Sequence, residues 1–199
     1  MNTVPAVTAD DVDPRIARSR AKLLAAATDL LVESGPRGVT VDAVAERSGV
    51  AKSTLYRHWS SRDELLVAVM RCHVPDMQPV DPALGFEAAL RSKMATAVRV
   101  FSDREWVRIL PALLSLQQNV AEMADLLAAD REVNTAAFQA IIDLGVAEGR
   151  LPAGLDPLTV VHLLIGPLMF AVLTGDGRDS AALEALADEV VARFLASYA

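Results

Sequence analysis

Nineteen residues constrain what this chain can fold into more than any others: Thr40-Val-Asp-Ala-Val-Ala-Glu-Arg-Ser-Gly49-Val-Ala-Lys-Ser-Thr-Leu-Tyr-Arg-His58. The pattern predicts a short helix, a tight turn at Gly49 and a second short helix. That unit places its second helix in a DNA major groove. Thr40 is a good N-cap, because its hydroxyl can accept an orphaned backbone N–H. Val41, Val44 and Ala45 recur at spacings of three and four, which makes one face apolar. Gly49 supplies the left-handed conformation a sharp turn needs. In the second helix Leu55 faces inward with Val50, while Lys52, Ser53, Thr54, Tyr56, Arg57 and His58 can face outward. Lys52 to His58 contains no carboxylate and would suit a polyanion.

The charge distribution agrees. The whole chain of 199 residues carries −7, which rules out a surface basic all over. Yet nine Lys/Arg against five Asp/Glu between Pro14 and Asp63 put that segment at +4 and the rest at −11. Such asymmetry predicts a DNA-facing headpiece on an acidic body. Alanine and leucine dominate without alternating β-branched runs, so the predicted fold is all-α. The one cysteine, Cys72, leaves no intrachain disulfide and fits a reducing cytoplasm. Residues 1–13 lack the basic and apolar regions of a secretory signal and read as a disordered arm.

Along the chain, Asp13-Pro14 opens a helix whose apolar stripe runs through Ile16, Leu23, Leu24, Ala27, Leu30 and Leu31 and stops at Gly35. Arg15, Arg18 and Arg20 read as solubilising, with phosphate contact the sharper alternative. After the helix–turn–helix, Ser61-Arg62-Asp63-Glu64 is a capping box opening a helix to His73. Pro75, Pro79 and Pro82 mark a linker over 75–82, dividing a DNA-binding domain (14–74, motif 40–59) from a body (83–199). Body helices are predicted over Leu84–Phe101, Arg104–Leu116 (bent or interrupted at Pro111), Ala121–Ala129, Arg131–Glu148, Leu158–Thr174 and Ala181–Ala196, which with a three-helix headpiece makes about nine in all. Leu158–Thr174 is apolar nearly all round. It sits at the lower edge of a membrane span, contains His162 and Gly166-Pro167, and lacks a basic flank. A helix buried between the core and a second subunit is the preferred reading, with no membrane involved.

Thr40, Val44-Ala45, Ser48-Gly49-Val50, Thr54-Leu55-Tyr56-Arg57-His58-Trp59 and Ser61-Arg62-Asp63-Glu64-Leu65 together closely resemble the TetR family of bacterial transcriptional regulators. The similarity covers roughly residues 14–74; beyond them only the helical layout matches. The resemblance implies that Lys52, Ser53, Thr54 and Arg57 approach base edges or phosphates, that Tyr56 and His58 contact phosphates, and that Thr40 and Arg62 bind phosphates from helix N-termini. Three departures stand out. Trp59 replaces a usual phenylalanine, and Ala51 leaves the recognition helix without a side-chain cap. Asp42 stands where some relatives carry a basic DNA contact, and is predicted to point away from DNA.

The resemblance further implies a homodimer on a near-palindromic operator in double-stranded DNA, repression as the commoner mode, and a small-molecule effector in the body whose binding tilts the fourth helix. Leu158, His162, Gly166, Ala171, Ala182, Ala185 and Ala192 are the candidate dimer interface, with intramolecular core as the bland reading. Met94, Phe101, Trp106, Leu110, Leu113, Gln117, Phe138, His162, Met169 and Phe170 are the candidate pocket, each on its own more ordinary as core. That mixture predicts an apolar or aromatic effector. An enzyme is the rival class, without support: His58, His73 and His162 have no zinc spacing, and adjacent Cys72-His73 make a poor nucleophile–base pair. No P-loop or dinucleotide fingerprint calls for a cofactor. A second rival is a ligand-binding protein of this fold whose headpiece no longer binds DNA, which the surface from Lys52 to His58 argues against.

Overall fold

The computed structural model describes residues 14–73, 80, 81, 83–117, 120–175 and 179–198. Among them there are nine helices and no strand. The chain forms two compact units that meet between Cys72 and His73. The predicted arm and Asp13 lie outside the described residues, as does most of the 75–82 linker.

The headpiece comprises α1 (Pro14–Gly38), α2 (Val41–Ser48), α3 (Lys52–His58) and α4 (Arg62–His73). Gly35 does end the first straight run: its φ of 67° breaks the helix, and one further turn follows before α2. Leu23, Ala27 and Leu31, at steps of four, bury one side of α1. Ile16 was predicted in that stripe but is 46% exposed, since burial begins only two turns later at Leu23. Val44, Leu55, Trp59, Leu65, Leu66 and Met70 are all buried. Each such side chain contributes about 1.5–3 kcal/mol relative to an exposed one. Trp59 serves as the predicted plug, with the Arg20 guanidinium 5.6 Å above its ring.

The body comprises α5 (Phe86–Phe101), α6 (Arg104–Leu116), α7 (Ala121–Ala147), α8 (Pro157–Thr174) and α9 (Ser180–Ala196). α5 starts two residues later than predicted, because the Glu148 carboxylate accepts the Phe86 N–H at 2.7 Å and fixes the helix start there. Asp103 caps α6, which continues through Pro111. The two helices predicted over 121–148 are a single one of 27 residues. The expected gap fell at Asp130, a residue that does not forbid helical backbone. Gly145 lies where α7 is crowded: a Cβ there would come within 2.7 Å of Leu151 and 3.0 Å of Phe86.

By length and composition α8 could cross a bilayer. Its surroundings divide it into three stripes. Val160, Leu164, Leu168 and Val172, at steps of four, are buried in the body. Val161, Ile165 and Met169 form the next stripe and line a cavity. Leu163, Gly166, Phe170 and Leu173, at spacings of three and four, share the opposite face. There Leu163 is 56% and Phe170 67% exposed, and a Cβ on Gly166 would meet nothing. The helix is apolar all round because each stripe faces something apolar or faces out.

Candidate functional site

The headpiece surface is set by local chemistry. The Thr40 hydroxyl accepts the Ala43 N–H at 3.1 Å and starts α2. Gly49 ends it at φ 66°, and the Ser48 hydroxyl steadies the turn by accepting the Val50 N–H at 3.2 Å. At Ala51 no side chain caps α3. Leu55 anchors α3 inward, leaving Lys52, Ser53, Tyr56 and Arg57 exposed and Thr54 half-buried on the outer side.

Three residues differ from their predicted setting. Asp42 does not point away: it forms an ion pair with Lys52 across the turn, so a surface free of carboxylates in sequence is not free of them in space. That pairing, chiefly the hydrogen bond, raises the Lys52 pKa. His58 is half-buried, its Nε2 3.3 Å from the Ser19 hydroxyl and its ring tilted against Trp59. Burial, then the Arg20 and Arg57 charges, lower its pKa. That shift favours the neutral imidazole in the free protein. Arg62 directs its guanidinium into the headpiece, donating from Nε to the Val39 carbonyl at 2.7 Å, to the Pro36 carbonyl, and to Asp63 at 3.1 Å. It ties the end of α1 to the start of α4. The capping box is also shifted: Ser61 Oγ accepts the Glu64 N–H at 3.1 Å, but Glu64 returns to the Ser60 N–H at 2.7 Å and hydroxyl at 2.8 Å.

In the body, one stripe from each of α5, α6, α7 and α8 lines a partly open cavity of about 280 Å³. Phe101, Trp106, Leu110, Leu113, Gln117 and Met169 are among its walls. Met94 and Phe138 are buried core residues that do not line it, since their α5 and α7 positions turn another way. His162 and Phe170 are exposed on α8 and do not line it either. The polar wall was missed: Lys93, Asp130, Arg131 and Asn134. Lys93 is only 6% exposed, and its Nζ donates to Asn134 Oδ1 at 3.2 Å. Asn134 Nδ2 in turn lies 3.3 Å from Asp130 Oδ2. Burial lowers the Lys93 pKa, partly offset by Asp130; burial raises that of Asp130, partly offset by Lys93 and Asn134. A helix unbroken through Asp130, with Asn134 four residues on, was the signal that could have found them.

The model of bacterial regulatory proteins of the tetR family matches residues 23–69, and that of the tetracyclin repressor-like C-terminal domain matches residues 85–193. This chain belongs to the TetR family. It is a helix–turn–helix transcriptional regulator, and its similarity to a relative extends along most of both chains. An uncharacterized HTH-type transcriptional regulator of Bacillus subtilis, YdeS, is 28% identical over 171 residues, 82% of this chain and 83% of that one. Among solved structures, a transcriptional regulator from a Rhodococcus species has the same fold, with a TM-score of 0.70 at 20% identity, covering 90% of this chain and 97% of its own. SmeT in complex with triclosan is similar at a TM-score of 0.67 and 21% identity, covering 88% and 91%.

On this TetR-family chain the remaining candidate interface residues fall into two groups. Ala182, Ala185 and Ala192 are exposed on α9, opposite its buried line of Leu183, Ala187, Val191 and Phe194. Gly166 belongs to the open stripe of α8. Leu158 and Ala171 are half-buried, and Ala171 falls on the core side of that helix.

Proposed function

We propose that this regulator is a homodimeric repressor, working in the cytoplasm, that leaves a near-palindromic operator when a small effector with an apolar body fills the cavity of residues 83–199. The observation that carries the reading is that cavity: a partly open space walled by one stripe from each of four helices, in a chain whose other unit presents a donor-rich reading helix. The triclosan held by SmeT supports a small aromatic or apolar occupant. Residues 14–74 are assigned to DNA, with Lys52, Ser53, Thr54, Tyr56 and Arg57 as contacts and Thr40 at the α2 N-terminus for phosphate. Two-fold pairing through α8 and α9 supplies the symmetry such an operator mirrors. In linkage terms the effector must bind the DNA-incompetent state more tightly than the DNA-bound one.

The test combines both units. Operator fragments selected from genomic DNA should bind in a salt-sensitive way. Lys52→Ala with Tyr56→Ala should abolish that binding in a folded dimer; unchanged affinity would sink the DNA assignment. Ala97→Phe, which fills the cavity from a buried wall position, should keep operator binding and lose effector release. If release persists, the effector sits elsewhere.

A further inference from the structure

We infer that the cavity is built for a small organic monoanion, an apolar body bearing a carboxylate, with the Lys93 ammonium as its anchor. The inference rests on the effector reading above and names the chemical class of the occupant. At about 280 Å³ the cavity lies just under the usual span of small-molecule sites, about 300–1,000 Å³, which limits the ligand to a compact body. Val100, Leu110, Leu113 and Ile165 give that body apolar walls.

Against those walls one buried ammonium is out of place. Lys93 carries three donors, and among the described residues its one hydrogen bond goes to Asn134 Oδ1. The Phe138 ring, with its centroid 5.8 Å from Nζ, gives it a face of π electrons and no acceptor. Asp130 does not pair with it directly. Asn134 stands between them, accepting from Lys93 and donating to both the Asp130 carboxylate and the Asp130 carbonyl. This relay fixes the ammonium on the cavity wall and leaves it protons to spare. A buried charge with one partner is costly, and a second acceptor of opposite charge removes that cost.

The charges on the walls point the same way. Lys93 and Arg131 outnumber Asp130 by one, with Arg131 exposed to water, so the formal charge of the lining is positive. A carboxylate neutralises it, a neutral ligand leaves the excess standing, and an ammonium adds to it. Trp106, another wall residue, has a buried indole N–H with no acceptor. A ligand bearing acceptor oxygens suits such a wall better than a hydrocarbon does.

The experiment titrates the full-length protein by calorimetry with three matched series on the same bodies, straight chains of graded length and 2-naphthyl. The members are carboxylates, primary amides and ammonium salts. At least one carboxylate should bind about tenfold tighter than its amide, a margin typical of a charge-assisted hydrogen bond, and its ammonium counterpart should not bind. Lys93→Met should erase that margin while amide binding stays. Asp130→Asn, which leaves the Lys93–Asn134 hydrogen bond in place, should tighten carboxylate binding and guards against misfolding of the lysine variant. No carboxylate binding, equal binding of carboxylate and amide, or a margin that survives Lys93→Met overturns the inference. Amides that bind and release the operator with no preference for carboxylates overturn it while leaving the effector reading intact. Carboxylates that bind with the expected margin but leave operator affinity unchanged support the anion site and remove the effector role.

Discussion

Asp42 and Lys52 lie on successive helices of the headpiece, and both members of their ion pair are largely exposed. A pair so exposed to water and salt stabilises the fold little, so Lys52 exchanges it for a phosphate at little cost. Asp42→Asn should raise operator affinity, because it removes a carboxylate that competes with phosphate for Lys52 and repels the backbone. Anisotropy titrations across a salt series check this, and a flat response removes Asp42 from the interface. His58 gives a pH prediction. Its folded pKa is lowered, so below the ordinary histidine range the unfolded chain binds more protons than the folded one. The stability of the free protein's headpiece should therefore be full above that range and fall as pH drops through the folded value. His58→Gln, which retains a partner for Ser19, should flatten that limb of the melting-temperature profile.

At the scale of the element, α3 starts at Ala51 without a side-chain cap, and Ala51→Ser should stabilise the headpiece by about 0.5–2 kcal/mol, read by denaturant melting. Gly145→Ala tests α7 with the opposite sign. Its Cβ would strike Leu151 and Phe86, and overpacking of this kind costs about 1–3 kcal/mol, so a helix-favouring residue should nonetheless lower the melting temperature of the body. The helices were legible in sequence wherever their ends are local events. Thr40 and Gly49 bound α2 through their own backbone and side chain, and the predicted ends of α6 match residue for residue. α7 was split at Asp130, where its sequence carries no Gly or Pro to end a helix, and the start of α5 depends on Glu148, sixty-two residues away. The outward face of α3 was readable because it occupies one short helix. The cavity was readable only in part, because its walls follow from the mutual rotation of four helices. Nothing local distinguishes Met169, which lines it, from Met94, which does not. Lys93 was missed because a lysine in a helix ordinarily lies in solvent, and Asp42 because contact across a turn is invisible in a linear pattern.

At the scale of the whole molecule, the open stripe of α8 and the exposed alanines of α9 should be covered by a second copy. Phe170→Asp with Leu173→Asp, two exposed positions whose replacement creates no cavity in the core, should give a folded monomer. Sedimentation of the parent as a monomer at micromolar concentration, or of the variant as a dimer, sinks that pairing. A single headpiece offers one seven-residue reading helix, so the monomeric variant should also lose most of its operator affinity. The apolar stripe has a kinetic consequence for a cell making few copies of this protein. Encounter of two subunits is second order, so halving the supply of free chains quarters the rate at which they pair. Until it pairs, each chain keeps Leu163, Phe170 and Leu173 in water, a patch that invites aggregation and proteolysis. On the proposed pairing, unpaired chains should then be removed faster than paired ones, and the amount of dimer should fall more steeply than its synthesis. Gene dosage would thereby act as a second control on the proposed operator, alongside the proposed effector.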